Sequence, residues 1–270
     1  MKLSIIIINY NTSDWIKKVF GAVQESEPDL VKEFVVVDNG EEKVDPDFLK
    51  SEKIIYFDNQ KNIGFAGGVN KGLEMAKGEY VLLLNSDVIV KKGSLSGLVD
   101  FLDNHKEVGV VGPKFLYPSG KSQISAGRIP NLIREVFRFS GLYKFLPFGT
   151  YIANFSQNRS VDWVSGGCLL VRRDLIIKVG GMDSEYFFGA EDMDLCLRIK
   201  KLGFKIFYLP SIEIVHYHGI SSGGVKSLKR IKLEKTALNY FFKKNFPKAF
   251  LTRRLVNFLH DIKYFFIKNL

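Results

Sequence analysis

The run Leu3 to Ile8 is apolar and largely β-branched at nearly every position, and it constrains this chain more than any other feature. A strand without alternation has to be covered on both faces, which in a water-soluble domain means a parallel sheet between helices. The following segments agree. Thr12 or Ser13 can cap a helix whose Ile16, Val19, Phe20 and Val23 recur at i, i+3, i+4, i+7. Phe34 to Val37 and Ile54 to Phe57 read as further strands. A glycine-rich segment, 62–68, precedes a helix with Val69, Leu73 and Ala76 inward, closed by Gly78. Tyr80 to Leu84 is a fourth strand, and Leu95, Leu98, Val99 and Leu102 stripe another helix. The expected class is therefore α/β, with a mostly parallel central sheet flanked by helices.

Three of these strands end in short polar clusters: Asn9-Tyr10-Asn11, Asp38-Asn39 and Asn85-Ser86-Asp87. Ligands of open parallel sheets bind outside the carboxyl ends of the strands, so these clusters sit where a site belongs. Beyond Gly112 the pattern weakens. Residues 118–159 show no clear strand and only a patchy helical stripe around Leu132, Val136 and Phe139, and read as an excursion from the sheet. Val161 to Val171 is apolar around Gly166 and Gly167. Glu191 to Leu202 reads as a helix with Leu195, Ile199 and Leu202 on one face. Phe204 to Leu209 and Ile212 to Val215 read as two short strands, the second ending in His216-Tyr217-His218-Gly219.

The net charge of +10 is unevenly distributed. Residues 226–270 hold 12 Lys and Arg against two acids, Glu234 and Asp261, while bases and acids cancel in the rest. The same segment holds nine of the 36 aromatics, so a basic, aromatic tail follows a charge-balanced domain. Without a nucleic-acid-reading motif elsewhere, nucleic acid is not an expected partner. No apolar run reaches the ~18–20 residues of a membrane span, and the first run is too short for a signal peptide, so a cytoplasmic protein is expected. Cys168 and Cys196, each alone among apolar neighbours, exclude a disulfide framework or a cysteine zinc site.

Among groups able to carry chemistry, Asp87 fits a loop-capping acid or a hard-cation ligand equally well. His216 also follows an apolar strand, and carboxylate with imidazole suits Mn²⁺ or Mg²⁺ when a diphosphate supplies the other oxygens. Glu191 and Asp192 open a helix, where the dipole alone favours acids. The same field also suits a carboxylate that takes a proton from a bound hydroxyl, with Asp194 pointing elsewhere. Asp38 serves as a loop cap or as a ribose or base contact. The glycines of 62–70 could turn N–H groups to an anion, but the segment is not G-x-G-x-x-G. No P-loop and no G-x-S-x-G occurs.

Taken in order, the motifs resemble family 2 glycosyltransferases of the GT-A fold, nearest the rhamnosyltransferase-like branch. The resemblance rests on 4–11, Val35 to Asn39, Asn62 to Asn70 and Leu83 to Asp87 in one half. In the other it rests on Gly166-Gly167 through Arg173, Gly181 to Leu195, His216 to Ser221, and Asn239 to Lys244. It implies a nucleotide-diphospho-sugar transferase with a catalytic domain over 1–225, divided into a nucleotide-sugar half (1–112) and an acceptor half (113–225), followed by amphipathic helices over 226–270. It implies that Asn9, Tyr10, Asn11 and Asp38 hold the nucleoside, and that Asn62, Gly64, Phe65, Asn70, Asn85 and Ser86 shape the donor pocket. Asp87 and His216 would hold Mn²⁺ or Mg²⁺, and Asp192 would be the base. Glu191, His218, Gly166, Gly167 and Trp163 would support these groups or face the acceptor. The family's acidic pair is here Asn85-Ser86-Asp87, with one carboxylate.

The resulting expectation is an inverting transfer from a nucleotide sugar, dTDP-rhamnose by branch resemblance, to a saccharide or polyprenyl-linked acceptor in surface polysaccharide synthesis. A UDP-sugar donor is the second reading. A non-catalytic nucleotide- or membrane-binding protein is the third. In the tail, Leu251, Leu255, Phe258, Leu259, Ile262 and Phe266 recur at helical spacing, with Arg253, Arg254, Lys263 and Lys268 on the other side. That stripe fits either packing on the domain or peripheral attachment to an anionic inner membrane face.

Overall fold

The structure, a computed structural model, describes residues 2–139, 151–152, 156–217 and 227–268. The doubly covered sheet that the first strand demands is present. β1 (Leu3–Asn9) lies between β2 (Val31–Asp38) and β4 (Tyr80–Leu84), parallel to both, and β3 (Ile54–Asp58) lies parallel outside β2. Leu3, Ile5, Ile6 and Ile7 are buried. On one face α1 (Ser13–Ser26) and α3 (Ser94–Asn104) bring Ile16, Val19, Val23, Leu95, Leu98 and Leu102 onto Leu3, Ile5 and Ile7. On the other, α2 (Gly64–Met75) sets Val69 and Leu73 against Ile6, Val35 and Val37.

From β4 the sheet continues through β12 (Cys168–Arg172), β6 (Val108–Leu116), β13 (Lys205–His216) and β10 (Arg159–Val161). β12 runs antiparallel to both β4 and β6, whereas β13 is parallel to β6. β5 (Val88–Ile89) pairs with β13 and β7 (Ser122–Gln123) with β6. A small second sheet joins β11 (Trp163–Val164), β8 (Ala126–Gly127) and β9 (Tyr151–Ile152). The helices α4 (Leu132–Phe139), α5 (Arg173–Lys178), α6 (Glu191–Lys201), α7 (Leu228–Asn245) and α8 (Phe250–Lys268) complete the described chain. No helix among the described residues is long and apolar enough to cross a membrane.

Several expectations are corrected. The stretch 118–159 does contain strands, but they are two or three residues long, too short to show a period. The two strands expected over 204–215 are one, β13, whose pairing with β6 shifts register between Leu209 and Glu213. The boundary drawn at 112/113 falls inside β6, and β12 inserts between β4 and β6, so both halves share one sheet. Thr12 stands at the N-cap of α1 without capping it, because its hydroxyl donates to Asn9 Oδ1 (2.9 Å) and accepts from the Ser86 hydroxyl (2.8 Å). Leu202 lies past the end of α6 and is exposed. Both cysteines are buried and free, and burial pushes both thiols up.

The tail divides into unlike parts. Ile231, Ala237, Phe241 and Phe242 of α7 are buried, and Lys244 reaches Asp183 (2.7 Å) and Asp194 (2.9 Å). α7 is thereby a wall of the domain. α8 buries only Thr252 and Val256.

Candidate active site

The carboxyl ends of β1, β2 and β4 open onto a cleft of two adjoining lobes, of about 310 Å³ and 190 Å³, which share Phe65, Asn85, Phe188 and Arg230. The larger lobe is lined by Tyr10, Asn39, Asn62, Gly64, Ser86 and Phe187, and on the far side by Ser227, Lys229 and Leu233. The smaller is lined by Asp87, Ser165, Gly166, Gly167, Gly189, Ala190, Glu191, Asp192, His216 and Glu234. Asp87, Asp192 and His216, far apart in sequence, thus meet in one lobe.

Local backbone geometry explains how each group is aimed. Gly64 opens α2 at φ +78°, and Phe65 N–H donates to Phe187 O (3.1 Å). A Cβ at Gly64 would lie 2.6 Å from that carbonyl, so the approach of the 187 loop to α2 requires glycine. Gly189 and Ala190 are both left-handed (φ 93° and 64°), a sharp turn that starts α6 with Glu191 and Asp192 directed into the lobe. Gly166 N–H donates to Asp192 Oδ2 (3.1 Å) and Met193 N–H to Oδ1 (2.7 Å), fixing the carboxylate plane.

Burial raises Asp192 above the usual carboxylate range, opposed by these two backbone donors. Glu191 is raised as well, by burial first and by the charge of Asp192 second, and its Oε2 has no hydrogen-bond partner among the described residues. Asp194 points away, paired with Arg198 (2.7 Å), Lys244 and Asn245 (2.9 Å).

His216 ends β13, edge-on to Phe115, with Nε2 3.2 Å from Asp87 Oδ1. Gln123 governs this geometry. Its Nε2 donates to the His216 carbonyl (2.6 Å), which leaves Oε1 facing His216 Nδ1 at 3.0 Å. An acceptor there requires the proton on Nδ1, so neutral imidazole turns its Nε2 lone pair toward Asp87. Asp87 is 1% exposed, and Oδ1 lacks a hydrogen-bond partner among the described residues. A buried carboxylate oxygen facing a lone pair suits a cation, so the residues present fit a divalent metal. No group of three or more His, Cys, Asp or Glu suited to a metal gathers among the described residues.

Other expected site residues have structural partners. Asn9 is fully buried. Its Oδ1 accepts from Thr12 N–H (3.0 Å) and its Nδ2 donates to Glu42 O (3.2 Å). Asn11 Oδ1 accepts from Glu41 and Glu42 N–H (2.9 and 3.0 Å). Asp38, also fully buried, accepts from Gly40 N–H (2.9 Å), Val44 N–H (3.3 Å) and Tyr56 Oη (2.9 Å). Asn70 is spent on the 182–184 turn, bonding both N–H and carbonyl of Met182. None of these four lines the cleft. Trp163 is 7% exposed within the core, its Nε1 donating to Arg128 O (3.3 Å), and lines neither lobe. His218 lies outside the described residues. Sequence reading gave no site role to Phe187, Phe188, Arg230 and Gln123, and placed Asn39 only within a strand-end polar cluster; nothing local marked Gln123.

Comparison with known proteins places this architecture. Residues 4–180 match the model described as Glycosyl transferase family 2, and residues 147–221 that described as N-terminal domain of galactosyltransferase. An N-acetylglucosaminyl-diphospho-decaprenol L-rhamnosyltransferase of Mycobacterium tuberculosis is 35% identical over 179 residues, which cover 60% of this chain and 58% of that protein. The rhamnosyltransferase WbbL of Escherichia coli is 27% identical, covering 79% of this chain and 82% of that one. A mannosyltransferase from Pyrobaculum calidifontis, solved with GDP-Man and Mn²⁺, superposes with a TM-score of 0.64 over 98% of this chain and 73% of that one, at 17% identity. The fold is GT-A.

Proposed function

The chain belongs to glycosyl transferase family 2, and on that premise we propose that it moves a sugar, with inversion, from a nucleoside diphosphate to a hydroxyl of a saccharide or polyprenyl-linked acceptor in surface polysaccharide synthesis. The reading rests on one observation above all: Asp87, His216 and Asp192 line the same small lobe, with the Asp192 carboxylate held by two backbone N–H groups.

Phe65, Asn85 and Phe188 border both lobes, so a donor lying in the larger one presents its diphosphate to the smaller. Asp87 and His216 would hold a divalent cation there, which when bound supplies Lewis-acid stabilisation of charge on the departing diphosphate. Asp192 accepts the acceptor hydroxyl's proton as that oxygen bonds to the anomeric carbon and the bond to the diphosphate oxygen breaks. Attack opposite the leaving group inverts the centre in one displacement, with a single base and no glycosyl-enzyme. Burial makes Asp192 a stronger base than an exposed aspartate.

The donor we propose is dTDP-rhamnose, supported by the resemblance to two rhamnosyltransferases. Calorimetry of dTDP and UDP with Mn²⁺, followed by transfer assays with dTDP-rhamnose and UDP-sugars, tests it. Tighter dTDP binding and rhamnose transfer are expected. Transfer from a UDP-sugar alone replaces the donor, and nucleotide binding without any transfer removes the enzymatic reading.

A further inference from the structure

α8 has an apolar face that the transfer reading leaves unused. It packs antiparallel on α7 through Asn257 to Asn239 (3.3 Å), Asp261 to Lys235 (2.5 Å), Lys263 to Glu234 (3.5 Å) and the Tyr264 ring under Lys232 (5.2 Å). The stripe of Leu251, Leu255, Phe258, Ile262 and Phe266, spaced by threes and fours, faces another way. Leu251, Phe258 and Phe266 are 51%, 58% and 63% exposed. The sequence left open whether this stripe packs on the domain; the structure exposes Leu251, Phe258 and Phe266 and leaves Leu255 and Ile262 half-buried between them. Large contiguous apolar surface on a folded protein marks a contact face.

Charge selects the kind of contact. Both acids of 226–270 are already paired, Glu234 with Arg230 and Lys263, and Asp261 with Lys235. Arg253, Arg254 and Lys268 make no ion pair among the described residues. An aromatic stripe among unneutralised bases matches a surface that offers hydrocarbon beneath negative headgroups. We propose that the outward face of α8 seats on an anionic lipid membrane, with Leu251, Phe258 and Phe266 in the acyl boundary and Arg254 and Lys268 at the headgroups.

The antiparallel register carries the last turns of α8 back alongside the first turn of α7, whose Lys229, Arg230 and Leu233 wall the cleft. A chain seated this way carries one wall of its cleft on the helix against which α8 packs. Its use for a lipid-carried acceptor rests on the transfer reading, but the docking does not.

The test uses the full chain and co-sedimentation with vesicles of phosphatidylglycerol and phosphatidylcholine, or of phosphatidylcholine alone. Binding to the anionic vesicles, weakened by salt, is expected. Phe258→Ser with Phe266→Ser should lower it at least tenfold, and Arg254→Gln with Lys268→Gln should lower it on anionic vesicles only. Wild-type protein that ignores anionic vesicles overturns the proposal. So does a serine variant that still binds them, or one that loses only self-association, which assigns the stripe to a second copy. Melting temperature and calorimetry with dTDP in Mn²⁺, run on every variant, should not move. Vesicle binding without nucleotide binding leaves the docking standing and removes the transfer reading.

Discussion

The two lobes of the cleft use their polar groups in opposite ways. Around the larger lobe, the residues that looked most like ligand contacts are already committed. Asn9, Asn11 and Asp38 tie down the 40–44 loop, and Asn70 ties α2 to the 182–184 turn. In the smaller lobe, Asp87 Oδ1 and Glu191 Oε2 are buried without hydrogen-bond partners among the described residues. Buried polar atoms ordinarily find partners, and here Asp87 Oδ1 faces only His216 Nε2, at 3.2 Å, so the lobe has bonding capacity that the described residues leave unused. One wall holds its shape by its own bonds, while the other keeps bonding capacity in reserve.

The largest test of that contrast is Asp192→Asn. Loss of a general base is expected to lower kcat by at least ~100-fold, with dTDP binding in Mn²⁺ nearly unchanged by calorimetry. In the wild type the base works only when ionised, so the rate should fall as pH drops through its pKa. Since burial raises Asp192, that acid limb should lie above the ~3.9 of an ordinary aspartate. An unchanged kcat, or loss of donor binding instead, would return Asp192 to the class of scaffold residues.

Gln123→Leu sharpens the comparison at the next level. It removes the acceptor that places the proton on His216 Nδ1, and loss of such a supporting partner typically weakens metal affinity ~10–100-fold. Mn²⁺ binding followed by electron paramagnetic resonance, together with ¹⁵N shifts of the His216 ring, should show both weaker binding and a mixed tautomer. Unaltered shifts would mean that the imidazole is oriented by something else.

What could be read from the sequence follows from how local each signal is. The stripe Ile16, Val19 and Val23 and the unbroken run of β1 are local patterns, and the structure reproduces them. The meeting of Asp87, Asp192 and His216 in one lobe could be expected because each closes or opens an element and the family resemblance implied their order. At Asn9 and Asp38 a polar cluster at a strand end shows capacity for hydrogen bonds but not the partner, and the nearest donors are backbone N–H groups of the adjoining loop. The burial of Trp163 likewise depends on β8, where it pairs with Gly127, 36 residues earlier. Gln123 sits on a two-residue strand, and its meaning exists only across the sheet from His216, 93 positions away.

The smallest effect on transfer is expected from Asp38→Asn, and here the two walls are most easily confused. Asp38 Oδ1 accepts from Gly40 N–H and Oδ2 from Val44 N–H and Tyr56 Oη, and the hydroxyl, raised by burial and this bond, stays protonated as donor. An amide has one oxygen, so at least one buried backbone N–H loses its acceptor whichever way the side chain turns. That costs about 1–3 kcal/mol, or a melting temperature lower by ~2–4 °C for each kcal/mol. Because the side chain is buried and borders neither lobe, dTDP affinity should change only through the 40–44 loop, by less than about tenfold, equivalent to ~1.4 kcal/mol. Calorimetry and thermal melts on the same preparation separate the outcomes. A collapse of dTDP binding at an unchanged melting temperature would show Asp38 meeting the nucleoside directly after a loop rearrangement, and the division between a self-satisfied wall and a reactive one would no longer hold.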